Sequence, residues 1–294
     1  PGISGGTIAL ITGIYKNLLD SIDSLNYKNL SLIKNGNLKM FWKKINGNFL
    51  ITVFSGIILS ILIFSYLIDW LIENRPIQLW SFFFGVLITS IFFLKKLVNN
   101  WNLFSLVFLI FGILISYQLT TFPLKDNETT LLYLFFCGIA GSIAMILPGI
   151  SGAYIFLILG VYHTLLSSIK MATKVWSSFE WEIFYETFLI LSVTAIGFLI
   201  GLRFFASILK KLIEKNNDKT MSILIGLMIG SIQKIWPWQE VVNVNFNNEN
   251  LFYSKAILPY NYNGNPEILT SLIVMITAIL LTIFLGSKNL THNK

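Results

Sequence analysis

Apolar and polar positions alternate along the chain in long blocks rather than in every second residue. Apolar runs cover residues 49–72, 77–94, 101–119, 131–147, 187–209, 220–236 and 268–286. Runs of about 20 residues match the thickness of a bilayer's hydrocarbon core, so each predicts a transmembrane helix. The short, strictly alternating strands of a membrane β-barrel are not seen. Between the runs lie polar stretches. Residues 20–48 carry Lys28, Lys34, Lys39, Lys43 and Lys44, with Phe41 and Trp42 among them. That mixture predicts a helix lying along the membrane interface. Residues 170–186 form a mixed loop, and an Asn-rich polar loop runs from Trp236-Pro237-Trp238 to Pro266.

One phrase occurs twice. Residues 1–15 read PGISGGTIALITGIY and residues 148–162 read PGISGAYIFLILGVY, with ten of fifteen positions identical at an offset of 147. Proline lacks an N–H and glycine tolerates positive φ, so a helix arriving at either Pro-Gly should break. A new helix should start just after, with Ser4 or Ser151 near its N-cap. The first apolar run continues to about Leu19 and the second to about Ser168.

The repetition extends further, at an offset of 141. Leu71-Ile72-Glu73 matches Leu212-Ile213-Glu214, and Gly85 with Ser90-Ile91 matches Gly226 with Ser231-Ile232. The chain thus reads as a single integral membrane domain over residues 1–294. It holds repeat one at 1–119 and repeat two at 130–286, each a Pro-Gly-broken, re-entrant hairpin plus three transmembrane helices. Repeat one opens inside its motif, at Pro1, so a leading helix is expected before it. An even number of crossings in each hairpin plus three spans makes the two repeats inverted. Charge agrees. Of the 21 basic residues, 14 fall on one side under this topology and 6 on the other, with Arg203 inside a span. The richer side is cytoplasmic by the positive-inside rule, and it includes the C-terminus.

Composition then narrows the function. Of the residues 55% are apolar and only 12% charged, which fits an all-α polytopic membrane protein. The net charge of +7 comes from lysines in the loops, so it reflects membrane sorting rather than nucleic-acid binding. Cys137 stands alone and the only histidines are His163 and His292, so no metal site or other cofactor is expected. No cleavable signal peptide is visible. The glycine-rich phrases are not Walker A loops, since no Gly-Lys-Ser/Thr follows them.

Broken helices of inverted repeats meet near the membrane midplane, where their N-terminal ends face anionic groups. Unpaired N–H groups there cost several kcal/mol each, so they require protein, water or ligand. The candidate anion site is therefore built from Pro1, Gly2, Ser4, Gly5, Gly6 and Thr7 together with Pro148, Gly149, Ser151, Gly152, Ala153 and Tyr154. Arg203, the one cation within a span, is a candidate partner for the anion, set against snorkelling to the interface. His163 is the candidate group for proton coupling.

The doubled PGISGG/PGISGA phrase, Phe-Phe-Phe-Gly at 82–85 and Trp-Pro-Trp at 236–238 resemble the bacterial polyprenyl-phosphate transporters, the undecaprenyl-phosphate translocases. The resemblance covers nearly the whole chain. Where the family is expected to carry Arg after a Phe-Ser pair, this chain has Tyr66. The resemblance implies return of undecaprenyl phosphate from the outer to the inner leaflet of the bacterial cytoplasmic membrane, for reuse as a lipid carrier in cell-wall biogenesis. A transporter rather than an enzyme is implied, with a polyprenyl-phosphate lipid as substrate and membrane lipids around it. The resemblance leaves the oligomeric state open. Two rivals share the architecture. A membrane polyprenyl-diphosphate phosphatase would need Arg after the motif serine, where Gly5 and Gly152 stand, and a glutamate pair in a span. Here Glu182 and Glu186 precede the span. A transporter of a small soluble anion could use the same site.

Overall fold

The computed structural model describes residues 4–121, 130–174, 181–246 and 249–290. It is an all-α polytopic membrane protein. In chain order the helices are α1 (Gly5–Ile11), α2 (Tyr15–Asp23), α3 (Tyr27–Lys34), α4 (Leu38–Lys44), α5 (Gly47–Asn74), α6 (Pro76–Lys95) and α7 (Leu103–Thr121). Then follow α8 (Leu131–Ile146), α9 (Gly152–Ile158), α10 (Tyr162–Lys174), α11 (Trp181–Lys215), α12 (Asn217–Gly230) and α13 (Ile268–Leu290). Five helices, α5, α6, α7, α11 and α13, are long and apolar enough to cross a bilayer. The 16 residues of α8 rise about 24 Å, short of a ~30 Å core, before the Pro148-Gly149 break stops them.

The spans pair along seams of small residues. In lipid there is no hydrophobic drive between helices, so close backbone approach replaces it. Gly85 of α6 lies so near α13 that a Cβ there would meet the Met275 carbonyl oxygen at 2.6 Å. Gly226 of α12, 141 residues on, lies equally close to α7, where a Cβ would meet the Leu109 carbonyl oxygen at 2.2 Å. Gly197 and Gly201 of α11 seat α8 in the same way, against Phe135 and against Ile139 and Ser142. Buried hydroxyls add polar fastening. Ser81 of α6 donates to the Ile77 carbonyl, and its oxygen lies 2.6 Å from the Ser271 hydroxyl of α13. The core runs through α1, α2, α6, α8, α11 and α12, with Leu87, Leu224 and Met228 fully buried.

Three expectations are corrected. Neither motif leads into one continuous helix. The chain bends again at Thr12-Gly13-Ile14 and at Leu159-Gly160-Val161, where both glycines take positive φ (71° and 69°). Hence α1 and α9 are two-turn pieces, and α9 meets α10 at 114°. Next, residues 20–48 do not form one interfacial helix. They hold the end of α2 and two short exposed helices, α3 and α4, joined through Gly36 at φ 72°. The indole of Trp42 then donates to Asn48 at 2.8 Å and lies over Gly47, where α5 begins. Finally, the polar loop after Trp238 contains an antiparallel hairpin, β1 (Gln239–Phe246) with β2 (Glu249–Ala256), in register from Gln239 opposite Ala256.

Candidate functional site

The two motifs meet. Ser4 caps α1: its Oγ accepts the Thr7 N–H at 3.4 Å while the Ser4 N–H reaches Thr7 Oγ1 at 3.4 Å. The Ser4 hydroxyl also donates across to the Leu147 carbonyl at 2.9 Å, one residue before the second Pro-Gly. In return, the Gly149 N–H donates to Thr7 Oγ1 at 3.4 Å. Tyr15, on the far side of the first bend, donates its phenol to the Ile146 carbonyl at 3.1 Å. Gly6 makes this crossing possible, since a Cβ there would stand 2.2 Å from the Ile146 carbonyl oxygen. Gly149 adopts φ 84° and packs on the backbone of Met228. The carbonyls freed by the break in one motif thus accept from the other.

The two helix starts differ. Ser4 and Thr7 are buried and close the α1 end with a reciprocal capping box. At α9, Ser151 occupies the N-cap position but makes no side-chain cap bond, and Gly152 and Ala153 are half-buried and exposed. Gly5 is exposed, with open space where a Cβ would project. Pro1 and Gly2 lie outside the described residues. Arg203 is not brought to the motifs. It sits on an exposed face of α11, and among the described residues no hydrogen bond or ion pair joins it to either phrase. His163 is exposed at the start of α10, edge-on to Tyr162.

A different cation stands beside the second motif. Tyr154, in the first turn of α9, is buried and donates its phenol to the Thr120 carbonyl at 3.0 Å. The Lys234 ammonium lies 5.1 Å from the Tyr154 ring centre, and Gln233 donates to the Thr120 hydroxyl at 3.0 Å. Both residues belong to the 3-10 turn Ile232–Ile235, just beyond α12. Residue spacing did not single out Lys234, yet a signal existed. The offset of 141 pairs Gln233-Lys234 with Phe92-Phe93, so the second repeat alone places polar groups there.

At the opposite end of α11, Lys210 binds Asp20 at 2.8 Å and Asp23 at 3.4 Å, holding α2 against that helix. Between α7, α8, α11 and α12 lies a cavity of about 460 Å³. Its walls are almost wholly apolar. One end reaches Leu147, Ile150 and Ile155 around the second motif, and the other reaches Asn216, Lys219 and Thr220 at the α11–α12 turn. No group of three or more metal-ligating side chains exists among the described residues.

Comparison with known proteins gives the chain its relatives. Residues 1–252 match the family described as undecaprenyl phosphate translocase-like. A polyprenyl-phosphate transporter of Vibrio cholerae serotype O1 is 37% identical over 290 residues, 96% of this chain and 90% of the relative. A polyprenyl-phosphate transporter of Staphylococcus aureus is 28% identical over 249 residues, 81% of each. No solved structure matches the chain significantly. An all-α membrane bundle in which the two motif half-helices meet is thus accompanied by sequence similarity along nearly the whole length, and the chain belongs to the undecaprenyl phosphate translocase-like family.

Proposed function

We propose that this protein moves undecaprenyl phosphate from the outer to the inner leaflet of a bacterial cytoplasmic membrane, without acting as an enzyme. One observation carries the reading: two broken helices cross in the bundle interior, and the cation of Lys234 stands beside the second of them. The phosphate is the only part of this lipid that needs a polar path. Each methylene kept in hydrocarbon is worth ~0.8 kcal/mol, so the chain stays in lipid while the head crosses. The exposed starts of the half-helices, Gly5 on one side and Gly152-Ala153 on the other, supply N–H donors. Lys234 supplies the charge. The half-helices are short and flanked by glycine bends on the C-terminal side, so each can tilt without unwinding a long span. Helices of the repeats at 1–119 and 130–286 are paired with each other, α6 with α13 and α7 with α12, so the half-helices move within a frame built from both repeats, and the C-terminus faces the cytoplasm. Inward movement of the anion opposes an inside-negative potential by ~2.3 kcal/mol per charge per 100 mV, which proton coupling or consumption of the product offsets.

The test is leaflet exchange of undecaprenyl phosphate in liposomes containing the purified protein. Wild type should accelerate exchange, and Thr7→Val combined with Lys234→Met should abolish it. Phosphate release from the diphosphate lipid without exchange would move the protein to the phosphatases. Uptake of inorganic phosphate alone would make it a soluble-anion transporter.

A further inference from the structure

The cavity between α7, α8, α11 and α12 is not explained by the motif crossing alone. An apolar cavity of this size does not hold ordered water, since water needs polar partners, and it lies in the range of small-molecule sites. Its two ends differ in chemistry. The deep end is made by Leu147, Ile150 and Ile155, the hydrophobic residues of the second break. The mouth carries Lys219, whose ammonium is held over the rings of Phe104 and Phe108 at 5.3 and 5.9 Å. Asn216 stands beside it. The lining contains no carboxylate. The neighbouring Asp218 is already engaged by the backbone N–H groups of Asn99 and Asn100 at 2.9 and 3.0 Å. From Lys219 to Leu227 the cavity follows α12 for about 12 Å.

An occupant must therefore be a hydrocarbon chain with an anionic head at one end only. Free phosphate would leave the apolar wall empty, and a neutral lipid would leave the cation unmatched. We infer that this cavity is the inner-leaflet berth of the transported lipid, with the phosphate at Lys219 and the first isoprene units running inward toward the second motif. The inference rests on the transport reading above and adds to it a second phosphate station, distinct from the motif crossing. Lys219 belongs to the basic loop that the charge balance puts on the cytoplasmic side. A lipid seated there has the orientation of an inner-leaflet molecule, head at the interface and chain toward the midplane. Motif and berth share the wall formed by Leu147 and Ile150, so a head leaving the crossing enters a chain-sized slot already continuous with it.

The experiment uses the purified protein in nanodiscs and a polyprenyl monophosphate with a diazirine in its first isoprene units, with labelled peptides mapped by mass spectrometry. Labels should fall on the cavity-facing segments of α7, α8, α11 and α12. Ala140→Phe, which fills the cavity from α8, should lower this labelling about tenfold. Lys219→Gln should lower it by a similar factor and Lys219→Arg should restore it. Excess inorganic phosphate should not compete. Labels spread over the lipid-facing sides of α5 and α13 would overturn the inference. Cavity labelling that ignores a folded Ala140→Phe variant would do the same. The wild-type map is informative whether or not a variant folds. Leaflet exchange measured in parallel separates the two readings. Exchange without cavity labelling overturns the berth and leaves transport standing, whereas cavity labelling without exchange supports the berth and overturns transport.

Discussion

The ammonium of Lys234 rests 5.1 Å from the centre of the Tyr154 ring, joining the turn beyond α12 to the first turn of the second motif's half-helix. An aromatic face stabilises a cation without neutralising it, so the positive charge is kept beside the motif. Lys234→Met should lower transport about tenfold, the worth of one charge-assisted contact. The pH dependence has a definite sign. A lysine carries its charge only while protonated, so phosphate binding should weaken as pH rises toward the ordinary lysine range, about 10.4. In Lys234→Arg the guanidinium stays charged, and the alkaline decline should disappear. Binding of the lipid phosphate measured against pH for both proteins checks this.

Adjacent glycines of the first motif should respond oppositely to one methyl group. Gly6→Ala drives a Cβ to 2.2 Å from the Ile146 carbonyl oxygen, a backbone atom that cannot step aside. A loss of about 1–3 kcal/mol is expected. Gly5→Ala meets open space and should leave stability unchanged or raise it by up to ~1 kcal/mol. Thermal unfolding in detergent distinguishes the two.

Ser81→Ala should loosen the pairing of α6 with α13. The Ser81 proton is committed to Ile77, so Ser271 must donate to Ser81. Removing the acceptor leaves a buried hydroxyl to find another partner. The cost should lie near 0.6–1.7 kcal/mol, the range for hydrogen bonds between membrane helices. Double substitution with Ser271→Ala should cost less than the sum of the single changes.

Asp218 holds the loop between α6 and α7. Two backbone N–H groups and the Asn99 and Asn217 amides bind its carboxylate and keep it below the usual carboxylate value. A group depressed in this way contributes above its unfolded value, about 3.9, and loses that contribution as pH falls through the folded one. Protection of the Asn99 and Asn100 amides, measured against the exchange rate of an unstructured peptide at the same pH, should therefore be high at neutral pH and fall in acid. Asp218→Asn should lower that protection at every pH.

Arg203→Gln should leave transport within about twofold of wild type, because the guanidinium lies on the outer face of the α11 span and no hydrogen bond or ion pair among the described residues ties it to either motif. A loss comparable with that of Lys234→Met would restore Arg203 to the binding path.

Much of this was legible in sequence because membranes punish backbone irregularity. Pro-Gly inside an apolar run has few physical meanings, and the boundaries of α5, α6, α7 and α13 follow the apolar blocks closely. The second bend was also written there, in the shared Gly-x-Tyr at Gly13 and Gly160, but a lone glycine in an apolar run is ambiguous without its φ. The β1–β2 ribbon hides in an asparagine-rich segment whose composition suggests loop, although Val-Val-Asn-Val-Asn-Phe partly alternates. Lys234 and Arg203 show the remaining limit. Sequence gives depth along a span but not the direction in which a side chain points. The lysine counted as a loop charge turned out to face the motif, and the arginine within a span faces away.

The crossing also dictates the order in which the protein can be made. Ser4 needs Leu147, Thr7 needs Gly149 and Tyr15 needs Ile146, partners 131–143 residues later in the chain. At 5–20 residues per second, synthesis of the partner lags the first motif by roughly 7–30 s. Throughout that interval the Ser4 and Tyr15 hydroxyls lack their carbonyl acceptors and Thr7 Oγ1 lacks the Gly149 N–H, leaving α1 with only its own capping box. It must wait in a wet or chaperoned place until the second half arrives. A nascent chain stopped before residue 146 should accordingly be a substrate for membrane quality control, and closure of the motif crossing becomes a checkpoint that only arrival of the second half can pass.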